Sequence, residues 1–120
     1  MSVSFGTNGE KIVTFGNGSD VATGLALQPD GKFVLSGFIP TGTRTPDGFA
    51  DYEALVARFH SDGLLDLGFA GGFVTHNFSG GDAQDRLGRL ALDAEGRIVA
   101  AGTAFDTNFV PRVILARFWP

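Results

Sequence analysis

Two long stretches of the chain carry the same rhythm of apolar and polar positions. Leu25-Ala26-Leu27-Gln28-Pro29-Asp30-Gly31-Lys32-Phe33-Val34-Leu35-Ser36-Gly37 returns as Leu90-Ala91-Leu92-Asp93-Ala94-Glu95-Gly96-Arg97-Ile98-Val99-Ala100-Ala101-Gly102. A shift of 65 places lays residues 20–37 on 85–102, and seven of the eighteen pairs are identical: Asp20/Asp85, Leu25/Leu90, Ala26/Ala91, Leu27/Leu92, Gly31/Gly96, Val34/Val99 and Gly37/Gly102. Asp30/Glu95, Lys32/Arg97 and Phe33/Ile98 keep their chemistry. A repeat of this kind sets the architecture before any local signal does.

Within each copy the pattern predicts four short strands joined by Gly-rich turns. In the first, Lys11 to Phe15 alternates and stops at Gly16-Asn17-Gly18. Val21 to Gln28 is the second strand and Phe33 to Ile39 the third. Between them Pro29-Asp30-Gly31-Lys32 is a turn, because Pro presets φ and Gly accepts positive φ. Glu53 to His60 is the fourth strand, ended by Ser61-Asp62-Gly63. The second copy repeats the order with Phe73 to Phe78, the turn Ser79 to Asp82, then Arg86 to Asp93, Arg97 to Thr103 and Val110 to Phe118.

The stretch Pro40 to Asp51 reads as a loop rich in Pro, Gly and Thr. Leu115-Ala116-Arg117-Phe118 matches Val56-Ala57-Arg58-Phe59 at a spacing of 59, so this loop is shorter by 65 − 59 = 6 residues in copy two. A length change confined to one connection marks it as surface. No Gly-free window sustains the i, i+3, i+4 apolar spacing of a helix. Strands such as Phe33-Val34-Leu35 are apolar on both faces, which suggests sheets covered on both sides. The expected fold is all-β: two tandem four-stranded antiparallel blades of a β-propeller, residues 1–66 and 67–120.

Composition narrows the function classes. The 120 residues include 18 Gly and 12 Phe, with 43% hydrophobic and only 18% charged positions, a β-rich rather than a disordered balance. Net charge is −4 with no basic run, so a nucleic-acid footprint, which needs clustered Lys and Arg, is not expected. There is no cysteine, hence no disulfide and no thiolate metal site. No basic-then-apolar leader opens the sequence, although a mature domain of a longer secreted chain would look the same. No apolar run approaches the roughly 20 residues that span a bilayer, and membrane insertion is not expected.

Three segments carry a resemblance. Ser4-Phe5-Gly6-Thr7-Asn8-Gly9, Leu25-Ala26-Leu27-Gln28-Pro29-Asp30-Gly31-Lys32 and Leu55-Val56-Ala57-Arg58-Phe59-His60-Ser61-Asp62-Gly63-Leu64-Leu65-Asp66 together resemble the delta-60 repeat family over nearly the whole chain. Copy two departs from the pattern at Asp93-Ala94-Glu95-Gly96-Arg97, and Ala70 stands where the family has glycine after Phe69. The resemblance implies a propeller-like fold, a bacterial secreted or cell-surface setting and no catalytic activity.

Candidate chemistry is sparse. Asp30-Gly31, Asp62-Gly63 and Glu95-Gly96 lack the clustered oxygens of a calcium loop and read as turns. Asp20 and Asp85 are equivalent, as are Arg58 and Arg117, which suggests carboxylate–guanidinium pairs repeated once per unit for structural reasons. Asp66, Asp82 and Asp85 could serve a hydrolase only at a separation that sequence does not supply. His60 and His76 do not repeat and are not at metal-ligand spacing. No nucleophile elbow or phosphate loop is present. The best ligand-binding candidate is the Ile39–Tyr52 segment with Arg44, Asp47, Phe49, Asp51 and Tyr52, together with its counterpart carrying Phe105, Asp106, Asn108 and Phe109. Aromatics beside Asn and Asp suit a carbohydrate or a protein surface. The expected role is a non-catalytic binding or structural module without a cofactor, completed by self-association or by neighbouring repeats. The alternatives are a piece of a larger propeller protein and a small hydrolase.

Overall fold

The computed structural model describes residues 7, 9–15, 20–44, 50–76, 85–105 and 110–118, with the side chains of 41–44, 50, 51, 85 and 86 outside that description. Among the described residues the chain forms seven strands and no α-helix: β1 (Val21–Leu27), β2 (Phe33–Arg44), β3 (Ala50–Phe59), β4 (Phe73–His76), β5 (Asp85–Leu92), β6 (Ile98–Phe105) and β7 (Pro111–Phe118). They make two antiparallel sheets, β1-β2-β3-β4 and β5-β6-β7. The all-β expectation holds.

The turns follow from their residues. Gln28 N–H donates to Lys32 O at 2.8 Å, and Gly31 N–H to Gln28 O at 2.9 Å. In copy two Asp93 N–H donates to Arg97 O at 2.9 Å, and Gly96 N–H to Asp93 O at 3.0 Å. Gly31 and Gly96 hold φ of +89° and +79°, where a Cβ is strained. Each hairpin also carries a bulge on its first strand, between Ala22 and Gly24 and again between Leu87 and Leu90.

Two expectations are corrected. The sheets do not coincide with the sequence repeats. The fourth strand of the first sheet is β4, which opens copy two, while the expected first strand, Lys11–Phe15, joins no ladder among the described residues. Edge occupancy decides this. β3 leaves a free edge, and the chain doubles back after it through the Gly63 N–H···O=C His60 turn (2.9 Å) and the Phe59–Leu65 bridge. β4 then pairs with Ala54–Ala57. Among the described residues the second sheet accordingly has three strands where four were expected.

The second correction concerns the supposed loop Pro40–Asp51. β2, at 12 residues, is four longer than its counterpart β6 at 8. β3, at 10, is two longer than β7 at 8. Those differences account for the six extra residues, so the insertion lengthens a hairpin, with Arg44 opposite Ala50, instead of enlarging a loop.

Side chains alternate across a strand, so register assigns each residue to a face. On the first sheet one face, called the front, carries Leu25, Leu27, Phe33, Leu35, Leu55 and Phe59, and the back carries Val34, Ser36, Ala54, Val56 and Arg58. The repeat places the equivalent front of the second sheet at Leu90, Leu92, Ile98, Ala100, Ile114 and Phe118. The core joins the back of the first sheet to the front of the second: Val34, Ala54 and Val56 pack with Leu87, Ile98, Ala100 and Ile114. β5 runs across β1, β2 and β3 at this junction.

Candidate functional site

The Asp66 carboxylate gathers four groups: Arg58, Lys32, the Gly68 N–H and His60. Its Oδ2 accepts from Arg58 Nε at 2.8 Å and faces Lys32 Nζ at 3.1 Å; its Oδ1 accepts the Gly68 N–H at 3.0 Å and lies 3.5 Å from His60 Nε2. Asp66 and Arg58 are both buried, and the Arg58 guanidinium stacks over the Phe69 ring at 4.9 Å. Burial alone would push the carboxyl up. The bonds from Lys32, Gly68 and Arg58, with the Arg58 charge, outweigh it and hold the pKa at about 2, against an ordinary 3.8. A carboxylate so committed serves as a clamp on the β3–β4 connection.

The expected pairing of the repeated charges is therefore revised. Arg58 takes Asp66, eight residues on, as its carboxylate in place of Asp20. Asp20 accepts the Phe15 N–H at 2.8 Å, which ties the preceding segment to β1. Arg117 is exposed near the end of β7, and the Asp85 side chain lies outside the described residues. Lys32 and Arg97, equivalent in sequence, also find different carboxylates. Arg97 meets Asp93 at 2.7 Å and Glu95 at 2.5 Å. Asp93 stands where copy one has Gln28, so copy two braces its turn locally. Burial raises the Asp93 carboxyl, and the hydrogen bonds from the Arg97 backbone and side chain and from the Glu95 N–H bring it below its ordinary value.

The described residues of the candidate ligand segments lie on strands. Arg44 ends β2 and Asp51 lies in β3, with their side chains outside the description. Tyr52 is half-buried with its ring edge-on to Phe38 at 5.2 Å. Phe105 ends β6. Asp47, Phe49, Asp106, Asn108 and Phe109 lie outside the described residues, as does Asp82. His76 is exposed at the end of β4. Among the described residues no three His, Asp or Glu side chains cluster as metal ligands.

What the structure adds is a pair of open faces. On the front of the first sheet Leu25 and Leu27 are 65% and 62% exposed, whereas their equivalents Leu90 and Leu92 pack against the core. The front also holds an apolar concavity of about 340 Å³ between Leu25, Phe33, Leu35 and Phe59, walled by Val13 and Phe15. Phe15 packs edge-on against Phe59 and Phe73, at 6.3 and 4.9 Å. On the back of the second sheet Val113 and Leu115 are 88% and 76% exposed, whereas their equivalents Ala54 and Val56 are buried between the sheets. Repeat equivalence, applied residue by residue, was the signal available in the sequence for both faces.

The junction between the sheets also has a polar seam that the sequence did not reveal. Thr23 Oγ1 donates to the Leu87 carbonyl and lies 3.0 Å from Gly88 O, and Ser36 Oγ donates to Gly88 O at 2.8 Å. Compared with known protein families, with curated proteins and with solved structures, the chain matches none.

Proposed function

We propose that the chain is a non-catalytic scaffold module of β-propeller type, two blades in tandem, which completes its architecture by self-association. One observation carries this reading. The back of the first sheet stacks on the front of the second, two faces that are not equivalent in the repeat, so the junction is head-to-tail and leaves one front and one back face open. A contact of this polarity propagates from copy to copy and forms a ring where its rotation closes. Three or four chains would give six or eight blades, within the roughly four to eight of closed propellers. Each blade buries its second face only against a neighbour. Covering one exposed Leu or Val fully is worth about 1.5 to 3 kcal/mol, so these faces drive association strongly.

The resemblance to delta-60 repeats agrees with this reading and extends it to a bacterial secreted or cell-surface protein. The same module within a longer chain would use neighbouring repeats in place of further copies. The lengthened β2–β3 hairpin, with Tyr52 on Phe38, is the place on such a scaffold for a carbohydrate or protein ligand. Sedimentation velocity of the native chain and of Leu115→Glu tests the reading. The native chain should sediment as an assembly and Leu115→Glu as a folded monomer. Equal sedimentation of the two as monomers would remove it.

A further inference from the structure

Among the described residues the second sheet lacks the strand that β4 gives the first. β3 is covered on its outer edge by β4, with Ala54 opposite His76, Leu55 opposite Thr75 and Val56 opposite Val74. β7 is the counterpart of β3, and among the described residues its outer edge has no strand beside it. An open edge is a row of unpaired N–H and C=O groups that templates another strand. The counterpart of β4 also exists in the chain. β4 opens copy two, and a shift of 63 carries Gly72 and Phe73–His76 onto Gly9 and residues 10–13. Gly9 and Gly72 both hold positive φ, +86° and +118°, so the two segments are entered through similar turns. Yet Lys11–Phe15 belongs to no ladder, and Ile12 is 89% exposed.

We infer that residues 10–13 of one chain are the fourth strand of the second sheet of another chain. The register follows from β4: Val13 opposite Val113, Ile12 opposite Ile114 and Lys11 opposite Leu115. The donor has to be a second copy. Within one chain Val13 and Phe15 wall the front of the first sheet, while the second sheet packs on its back. The first sheet thus stands between the segment and β7. The inference rests on the scaffold reading above and deepens it. The back of one chain's second sheet would meet the front of the next chain's first sheet, while the donated strand continues directly into β1 of that next chain. The same path runs within one chain, where β4 pairs with β3 and the chain then continues into β5 of the stacked sheet. In that arrangement Ile12 leaves water beside Ile114 on the front of the sheet, and Val113 leaves it beside Val13 on the back.

The chain has no cysteine, so introduced thiols are unambiguous. Directly opposed residues of antiparallel strands have Cβ atoms about 4.5 to 5.5 Å apart, close enough for a disulfide after small adjustment. Val13→Cys chains are mixed with Val113→Cys chains, and Ile12→Cys with Ile114→Cys, under mild oxidation. Circular dichroism checks the fold of each variant, and light scattering reads the assembly of the same samples. A mixed pair should yield a species of twice the 12.6 kDa chain mass on denaturing gels, and each variant alone should yield little. An assembly of several chains with no link from either mixed pair overturns the strand donation and leaves the scaffold reading standing. A folded monomer with no link overturns both. Strong linkage of Val113→Cys with itself would indicate a two-fold contact between β7 edges and would also overturn it.

Discussion

Arg58 and Asp66 form a buried ion pair, Nε to Oδ2 at 2.8 Å, that locks the end of β3 to the turn leading into β4. Lys32 reaches the same oxygen from the β1–β2 hairpin at 3.1 Å. Three segments of one repeat thus converge on a single carboxylate, and the strand that completes the first sheet emerges from it.

Replacing Asp66 with Ala should therefore be expensive. It leaves a buried guanidinium without its partner, a loss of about 3 to 5 kcal/mol. Denaturant unfolding of Asp66→Ala measures it. Asp62→Ala, at an exposed turn whose Oδ1 accepts the Leu64 N–H at 3.0 Å, should cost about 1 kcal/mol or less.

The same carboxylate sets an acid limit. Its pKa is depressed in the folded state to about 2 from 3.8, so the stability it contributes is complete above the unfolded value. That stability is lost as pH falls from about 4 towards 2. Thermal melts across this window should show a falling midpoint in the native chain and a flatter profile in Asp66→Asn. Parallel profiles in the two proteins would contradict the assignment.

Gly24 sits where the sheets touch. A Cβ there would lie 2.5 Å from Ser36 Oγ and 2.6 Å from Gly88 O, the two atoms that bond each other across the junction. Gly24→Ala should lower stability by about 1 to 3 kcal/mol through overpacking. Arg89, the sequence counterpart of Gly24, is exposed, and Arg89→Ala should change stability by under about 0.5 kcal/mol.

The hairpin glycines make a matched pair. Gly31→Val and Gly96→Val should each destabilise by roughly 1 kcal/mol or more, because a β-branched residue resists positive φ. Gly96 has open space around its missing Cβ, and Gly31 meets only Ser61 Cβ at 3.6 Å. The cost should thus come from the backbone, and Asn at either site should recover part of it. A neutral Val at both would contradict the turn assignment.

These turns were legible in the sequence because their chemistry is local: acidic-Gly pairs between apolar runs dictate a hairpin wherever they occur. The repeat of Gly37 as Gly102 was also visible, and at Gly37 the reason is physical. A Cβ at Gly37 would collide with the Val21 carbonyl, where the bulged β1 crosses close to β2. Strand membership was less legible. Lys11–Phe15 alternates as well as Phe73–His76 does, yet only the second finds an open edge within reach, and edges are set by tertiary packing. Arg58 and Asp20 each recur once per copy, which is what suggests that they pair. The partner Arg58 takes, Asp66, is brought in by a turn whose reach the repeat alignment does not encode. The six-residue length difference was legible, but its place was not: a hairpin absorbs added residues as readily as a loop when they can pair, and here β2 and β3 take up all six.

The central claim is that this module completes itself with further copies through its two open faces. Molar mass by light scattering on the intact chain at micromolar concentration tests it most directly. The expected result is a single species of about three or four times the 12.6 kDa chain mass, closing six or eight blades. A well-folded, monodisperse species at the mass of one chain would contradict it.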